Sequence, residues 1–236
     1  MVSLYIYHLP DKLVYNLGEK LDLSGLELKN IKTDSALSKI YTNNANFSGF
    51  DSETSGKKEV IVSYGKFTAS FNIYVANKVV ENQEDLLSTI NNADDNDIIL
   101  VKQGEYTLTS PLEINNKNLV IGGEGSRKTK INGFVILGGY LNDGEISYSN
   151  SAENISFIGL GFSTSSKVEN NIINFNDKNY NPSLGGINAN SIKGLNVISC
   201  NFSGFATGIK IDDAENCILT GNNFSQLFVG VIEITN

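Results

Sequence analysis

The chain has 236 residues, 40% of them hydrophobic, with 18 Lys and Arg against 26 Asp and Glu for a net charge of -8. That length allows one large domain or two small ones, and an acidic chain whose only arginine is Arg127 is no partner for nucleic acid. His8 is the only histidine and Cys200 and Cys217 are the only cysteines, which excludes His-based triads, multi-His metal sites and a disulfide scaffold; no apolar run of about 18 residues spans a membrane.

A composition of 22 Gly and 3 Pro with abundant Asn favours turns and strands over helices. Period-two alternation predicts half-buried strands over residues 3–9 (SLYIYHL), 59–65 (EVIVSYG) and 66–75 (KFTASFNIYV), the last with Phe67, Ala69, Phe71, Ile73 and Val75 on one face. The last two meet at Tyr64-Gly65-Lys66, a connection fit for a hairpin. Short strands separated by turns suggest a small β-sandwich.

Residues 9–29 (LPDKLVYNLGEKLDLSGLELK) and 49–75 (GFDSETSGKKEVIVSYGKFTASFNIYV) resemble a bacterial immunoglobulin-like domain. The group is the one opening with Pro-x-Lys-x-x-Tyr-x-x-Gly-Glu-x-Leu-Asp-Leu-Ser-Gly-Leu. Pro10, Lys12, Tyr15, Gly18, Glu19, Leu21, Asp22, Leu23, Ser24, Gly25 and Leu26 carry the match, while residues 32–44 depart from the usual Asp-Gly-Ser turn. The resemblance implies a spacer or adhesive module of an exported bacterial protein. Asp22, Asp51 and Glu53 are then solvated or turn-capping acids, not ligands.

The pattern changes near residue 77. Residues 79–93 carry Leu86, Leu87 and Ile90 at helical spacing, with Asn82 and Asp85 as an N-terminal capping pair. An acidic turn, Asp94-Asp95-Asn96-Asp97, leads into a buried strand and then into Gly104-Glu105-Tyr106. Beyond that the sequence stacks on itself. Leu119, Ile155, Leu195 and Cys217 form one apolar column, Ile121, Phe157, Val197 and Leu219 a second, and Phe162, Phe202 and Phe224 a third. Gly186-Ile187-Asn188-Ala189 returns as Gly208-Ile209-Lys210-Ile211, and the later spacings are 22 residues. Such a period, with one apolar column per short strand, marks a solenoid. The pentapeptide NFSGF occurs at residues 46–50 and 201–205, but only the second is answered 22 residues on, by Asn223-Phe224-Ser225. Asn201 and Asn223 stand at repeated turns, where amides can stack.

From residue 80 onward the chain resembles a right-handed parallel β-helix of the pectate-lyase-like superfamily, carried by the helix, residues 97–106 and LEINNKNLVIGGEGSRKTKING at residues 112–133. The expected architecture is all-β: an Ig-like sandwich over 1–77, then a right-handed parallel β-helix with an N-terminal helix cap over 78–236. No basic-then-apolar leader opens the chain and VGVIEITN closes it as a bare strand. The expectation is a piece of a longer exported or surface-displayed bacterial protein, with coils missing at the C-terminus and neighbouring domains as partners.

Site candidates are few. IKIDDAEN at residues 209–216 directs Lys210 and Asp212 outward if Ile209 and Ile211 point inward, with Asp213 and Glu215 on the next turn. Asp212, Asp213 and Lys210 are the catalytic candidates of a lyase or hydrolase reading. Asp212, Asp213 and Glu215 are the candidates for Ca2+; a solvated turn is the plainer reading of the same residues. No cofactor other than a possible Ca2+ is implied. Asp94 to Asp97 form a turn between helix and strand, and Arg127 a structural turn. Two insertions, residues 138–151 and 176–186, leave the repeat as loops carrying Tyr140, Tyr148 and Tyr180, ring-bearing candidates for gripping a polysaccharide or host glycan. The cysteines are expected free and buried, and His8 at the surface. The leading functional expectation is non-catalytic adhesion or glycan binding. A polysaccharide lyase or glycoside hydrolase with its main residues in missing coils, and a structural stalk, are the alternatives.

Overall fold

A computed structural model of the chain describes residues 3–31, 36–143, 145–164, 168–169, 172–173 and 185–235. It is all-β apart from one α-helix and one short 3-10 turn among the described residues.

Up to residue 75 the described residues form two sheets. Ser3–His8, Glu27–Ile31 and Leu37–Ile40 make an antiparallel three-stranded sheet. Val14–Tyr15, Phe67–Val75, Gly56–Tyr64 and Asn46–Ser48 make a four-stranded one. The predicted hairpin is present, with Tyr64 opposite Phe67 and Gly65 at φ 60. Its apolar face is the predicted one, as Val60, Val62, Phe71, Ile73 and Val75 are buried. Tyr15 is fully buried. Its Oη accepts from the Asp22 N–H at 3.3 Å and lies 3.1 and 3.2 Å from the carbonyls of Lys12 and Asp22. Burial pushes the phenol up to about 12. Asp22 and Asp51 cap turns as expected, Asp22 accepting from Ser24 N–H and Asp51 from Glu53 N–H.

The helix is Gln83–Asn91, capped by the Asn82 side chain, which accepts from the N–H groups of Glu84 and Asp85. Leu86 and Ile90 are buried in the same core as the repeat columns. Asp97 shapes the turn that follows. Burial works against its charge, but Lys78 at 2.9 Å, the Asn77 amide and the Asp94 N–H hold the carboxyl below its ordinary value.

From here each circuit of the chain lays one strand into each of three parallel sheets. The first holds Lys78–Val80, Ile98–Val101, Val120–Gly123, Ser156–Ile158, Asn196–Ile198 and Ile218–Thr220. The second holds Gly104–Thr107, Thr129–Asn132, Gly161–Ser163, Asn201–Ser203 and Asn223–Ser225. The third holds Leu112–Ile114, Val135–Leu137, Gly185–Lys193, Thr207–Glu215 and Gly230–Thr235. The register aligns the predicted columns. Ile121, Phe157, Val197 and Leu219 are successive partners, as are Phe162, Phe202 and Phe224. The three phenyl rings stack with centroids 5.3 and 5.2 Å apart and planes within 16° and 12°. Ile187 answers Ile209, and Ile209 answers Ile232. Neighbouring strands lie about 4.8 Å apart, so like residues fall into contact from one circuit to the next.

The first parallel sheet is apolar on both faces. Ile99, Val101, Ile121, Phe157 and Val197 face the stack core. Ile98, Leu100, Val120, Ile158 and Ile198 face the other way and join Val14, Val75 and Ala76 in the sandwich core. A parallel sheet covered on both sides reads as a continuous apolar run, which is why Ile98–Val101 shows no alternation. The segment joining the two parts has no slack. Asn77 N–H donates to the Ile98 carbonyl at 3.0 Å, and Ile98 N–H donates to Asn77 Oδ1 at 2.8 Å.

Candidate functional site

The site follows from the second parallel sheet. Its inward column is Tyr106, Ile131, Phe162, Phe202 and Phe224. Strand alternation therefore turns two columns outward. One runs Glu105, Lys130, Gly161, Asn201, Asn223, and the other Thr107, Asn132, Ser163, Ser203, Ser225. The later rungs thus present amides and hydroxyls at regular steps.

The connections between the first and second sheets set the rim. Four of the five use two residues: 102–103, 159–160, 199–200 and 221–222. Gly159, Ser199 and Gly221 occupy the same place in the last three, with φ of 60, 54 and 64. The second circuit instead spends five residues, 124–128, between Val120–Gly123 and Thr129–Asn132. This longer connection is pinned at both ends. Thr129 Oγ1 accepts from Glu124 N–H at 3.0 Å, and the Lys128 and Thr129 N–H groups donate to the Gly125 carbonyl. It also lies down over the next rung: a Cβ at Gly161 would stand 2.4 Å from the Ser126 carbonyl oxygen. Arg127 and Lys128 project from it into solvent.

The sandwich closes the opposite side. Lys12 Nζ lies 2.7 Å from Glu19 Oε2 and 3.0 Å from Glu124 Oε1, and Lys102 stands 3.6 and 3.8 Å from the same two side chains. Burial works against the Lys12 charge, but Glu19 and Glu124 outweigh it and raise its pKa. Glu19 and Glu124 pay the same burial penalty, yet their hydrogen bonds and the two lysines hold them below the ordinary range. With this network clamping the junction, a cleft of about 1200 Å³ remains between Ser3–His8 and the stack. Tyr5 and Tyr7 form part of one wall, 52% and 44% exposed. Lys29 Nζ sits 2.9 Å from the Tyr7 ring centroid, and His8 packs edge-on to the same ring at 4.6 Å. Residues 125–128 form another wall, and Ser199, Asn201, Thr220 and Asn223 line the stack side. A second recess of about 520 Å³ lies along the second sheet and shares Ser126, Arg127 and Asn201 with the first.

The residues singled out from sequence lie elsewhere. Tyr140 and Tyr148 belong to an antiparallel hairpin, Gly139–Asn142 with Glu145–Tyr148, so the first insertion does leave the stack. Tyr140 is opposite Ser147 and Tyr148 opposite Gly139, which puts the two rings on opposite faces of the hairpin. Tyr140 is exposed. Tyr148 is half-buried, and burial, with the charge of Asp212, pushes its phenol up to about 12. Tyr180 lies outside the described residues. Ile209 and Ile211 do point inward, with Lys210 and Asp212 turned out. Among the described residues no three acidic, His or Cys side chains gather as a group that could hold a metal ion. Asp213 has a left-handed backbone, φ 55, and lies near Ser191, whereas Glu215 pairs with Lys193 at 3.3 Å. Lys210 reaches toward Glu233 at 4.0 Å. Cys217 is also only half-buried, while Cys200 is buried as expected, with burial pushing its thiol up to about 12.

Sequence reasoning missed Tyr5, Tyr7 and the projecting role of Arg127. A signal existed in the column spacing. Phe157 to Phe162, Val197 to Phe202 and Leu219 to Phe224 are each 5 residues, whereas Ile121 to Ile131 is 10.

Fold and cleft define an all-β protein in which a largely antiparallel sandwich is seated on a stack of parallel sheets. Residues 9–75 match the family of bacterial Ig-like domains (group 3), which occurs in bacterial surface proteins. No curated protein matches the chain.

Proposed function

We propose that this is a non-catalytic segment of an exported bacterial surface protein that holds a glycan in the cleft between its two parts. In this reading residues 1–77 are the Ig-like domain. Residues 78–236 are a right-handed parallel β-helix of the pectate-lyase-like kind, its hand following from the strong preference of parallel crossovers. The observation that carries the proposal is the make-up of the cleft. Two exposed tyrosines line the same cleft as residues bearing amides and hydroxyls, and a flat apolar ring with a polar tip suits the face and edge of a sugar. Rungs about 4.8 Å apart offer a repeating ligand a repeating set of donors and acceptors. A rigid stalk is served by the same junction, whose charge network and shared core would stiffen a longer chain.

The test is a glycan array with the whole chain, followed by titration of the best binder against Tyr5→Ala and Tyr7→Ala. Both side chains are exposed, so the fold is expected to survive. Loss of about tenfold or more in affinity supports the cleft, in line with truncation of an aromatic contact residue. Absence of any glycan binding defeats the proposal. Binding that ignores both variants but disappears with Tyr140→Ala moves the site to the hairpin.

A further inference from the structure

We infer that the sandwich wall of this cleft is also a peptide site, where an extended segment of another polypeptide adds as a fourth strand along the free edge of Ser3–His8. The inference goes beyond the glycan reading, because it uses the backbone of that strand and not its tyrosine rings. Ser3–His8 stands at the end of its sheet, with Glu27–Ile31 on one side and no strand on the other. Among the described residues its backbone bonds only to that neighbour. In an antiparallel pair alternate residues aim their N–H and C=O groups away from the partner. That outer row of donors and acceptors is the template an added strand needs.

The cleft runs along this edge. Successive strand residues turn to opposite faces, yet residues 5–8 all line the cleft. Tyr5 and Tyr7 are exposed, whereas Ile6 packs against the sandwich core. A space beside the strand meets both faces; a space above one face does not. Edges are commonly blunted by lysine or proline, and Ser3–His8 contains neither. The far wall selects the occupant. Residues 125–128, with Ser199, Asn201, Thr220 and Asn223, stand across the cleft. They leave a volume of about 1200 Å³, above the roughly 300–1,000 Å³ of small-molecule pockets and suited to one extended chain. A second copy would have to bring its whole sandwich to the same edge, where the stack stands. The lining charges balance, Asp11 and Glu27 against Arg127 and Lys128. With amides and hydroxyls opposite the strand, the fitting peptide is uncharged and rich in Ser, Thr and Asn.

The experiment selects binders of the whole chain from a library of eight-residue peptides built from Ser, Thr, Asn and Val. The tightest is titrated by calorimetry in three forms: unmodified, N-methylated at odd residues and N-methylated at even residues. One methylation pattern is expected to weaken binding about tenfold or more and the other to be nearly silent, because only alternate residues bond to the edge. Hydrogen exchange is expected to show the Ser3–His8 amides gaining protection when the peptide binds. Thr220→Trp, a substitution at an exposed position on the far wall, is expected to block the peptide with the unfolding midpoint unchanged. No binder in the library, equal effects of the two methylation patterns, or protection at another open edge such as Gly230–Thr235 overturns the inference. So does a dimer whose Ser3–His8 amides are protected without peptide, which would give the edge to a second copy. No arm contains a sugar, so a failed peptide leaves the glycan reading standing, and a glycan array without binders leaves the peptide site standing.

Discussion

Gly122 tests whether the sandwich and the stack form one packed body. It lies on the outward face of the first parallel sheet, where a Cβ would stand 2.1 Å from Val14 Cγ2 and 2.8 Å from Val14 Cβ. Carbon atoms in contact prefer about 3.5–4.0 Å, so Gly122→Ala must open the junction by roughly 1.5 Å, given the 2.1 Å starting distance. Val14 has little room to retreat. It is fully buried, and its strand is tied by Tyr74 N–H to the Leu13 carbonyl and by Ala76 N–H to the Tyr15 carbonyl. Overpacking of this kind costs about 1–3 kcal/mol. At about 2–4 °C per kcal/mol for a chain of this size, Gly122→Ala lowers the midpoint by roughly 2–12 °C. Val14→Ala alone leaves a void and costs about 1–3 kcal/mol for its two methyl groups. In the double variant the new methyl enters that void, so the combined cost falls below the sum by about 1 kcal/mol or more. Thermal and urea unfolding of the four proteins completes the cycle. Additive costs, or a neutral Gly122→Ala, would refute the packed junction.

Two further outcomes follow from the stack. Phe202 is fully buried between Phe162 and Phe224, so Phe202→Ala is expected to cost about 3–5 kcal/mol, measured by urea unfolding; a loss under about 1 kcal/mol would contradict the ring stack. The Asp97 carboxyl is held below its ordinary value by Lys78, Asn77 and the Asp94 N–H, against the opposing effect of burial. The stability it supplies is therefore present above the unfolded value of about 3.9 and lost as pH falls through the lower folded value. The midpoint gap between the native chain and Asp97→Asn should be open at pH 6 and close toward pH 3. A gap that stays constant with pH would mean that the ionised carboxylate is not what holds this turn.

Much of the fold was legible because it is local or periodic. Alternation marks the hairpin, the Asn82 cap reads directly, and equal spacing sets the Phe162, Phe202 and Phe224 column. The cleft was not legible in the same way. It joins Tyr5 and Tyr7 to Asn201 and Asn223 across about 200 residues of sequence, and no pattern within either segment points to the other. The insertion tyrosines and IKIDDAEN are more conspicuous in one dimension, because loops and acid runs stand out from a periodic sequence. The hairpin's pairing then separated Tyr140 from Tyr148, and neighbours such as Lys193 drew the acids apart.

The two copies of NFSGF mark where each kind of information ends. Both fold as a three-residue strand followed by a glycine in the left-handed region, Gly49 at φ 82 and Gly204 at φ 79. That much belongs to the five letters, since alternation extends Asn-Phe-Ser and glycine tolerates the turn. What each strand pairs with does not. Phe47 faces Val62 across an antiparallel ladder, whereas Phe202 lies in a parallel one between Phe162 and Phe224. The same holds for Ile98, Leu100 and Val120. Their sequence says that the outward face of the first sheet is apolar, but an apolar face is satisfied by any apolar cover. Only the tertiary structure assigns that cover to Val14, Val75 and Ala76, and in doing so it creates the cleft beside them.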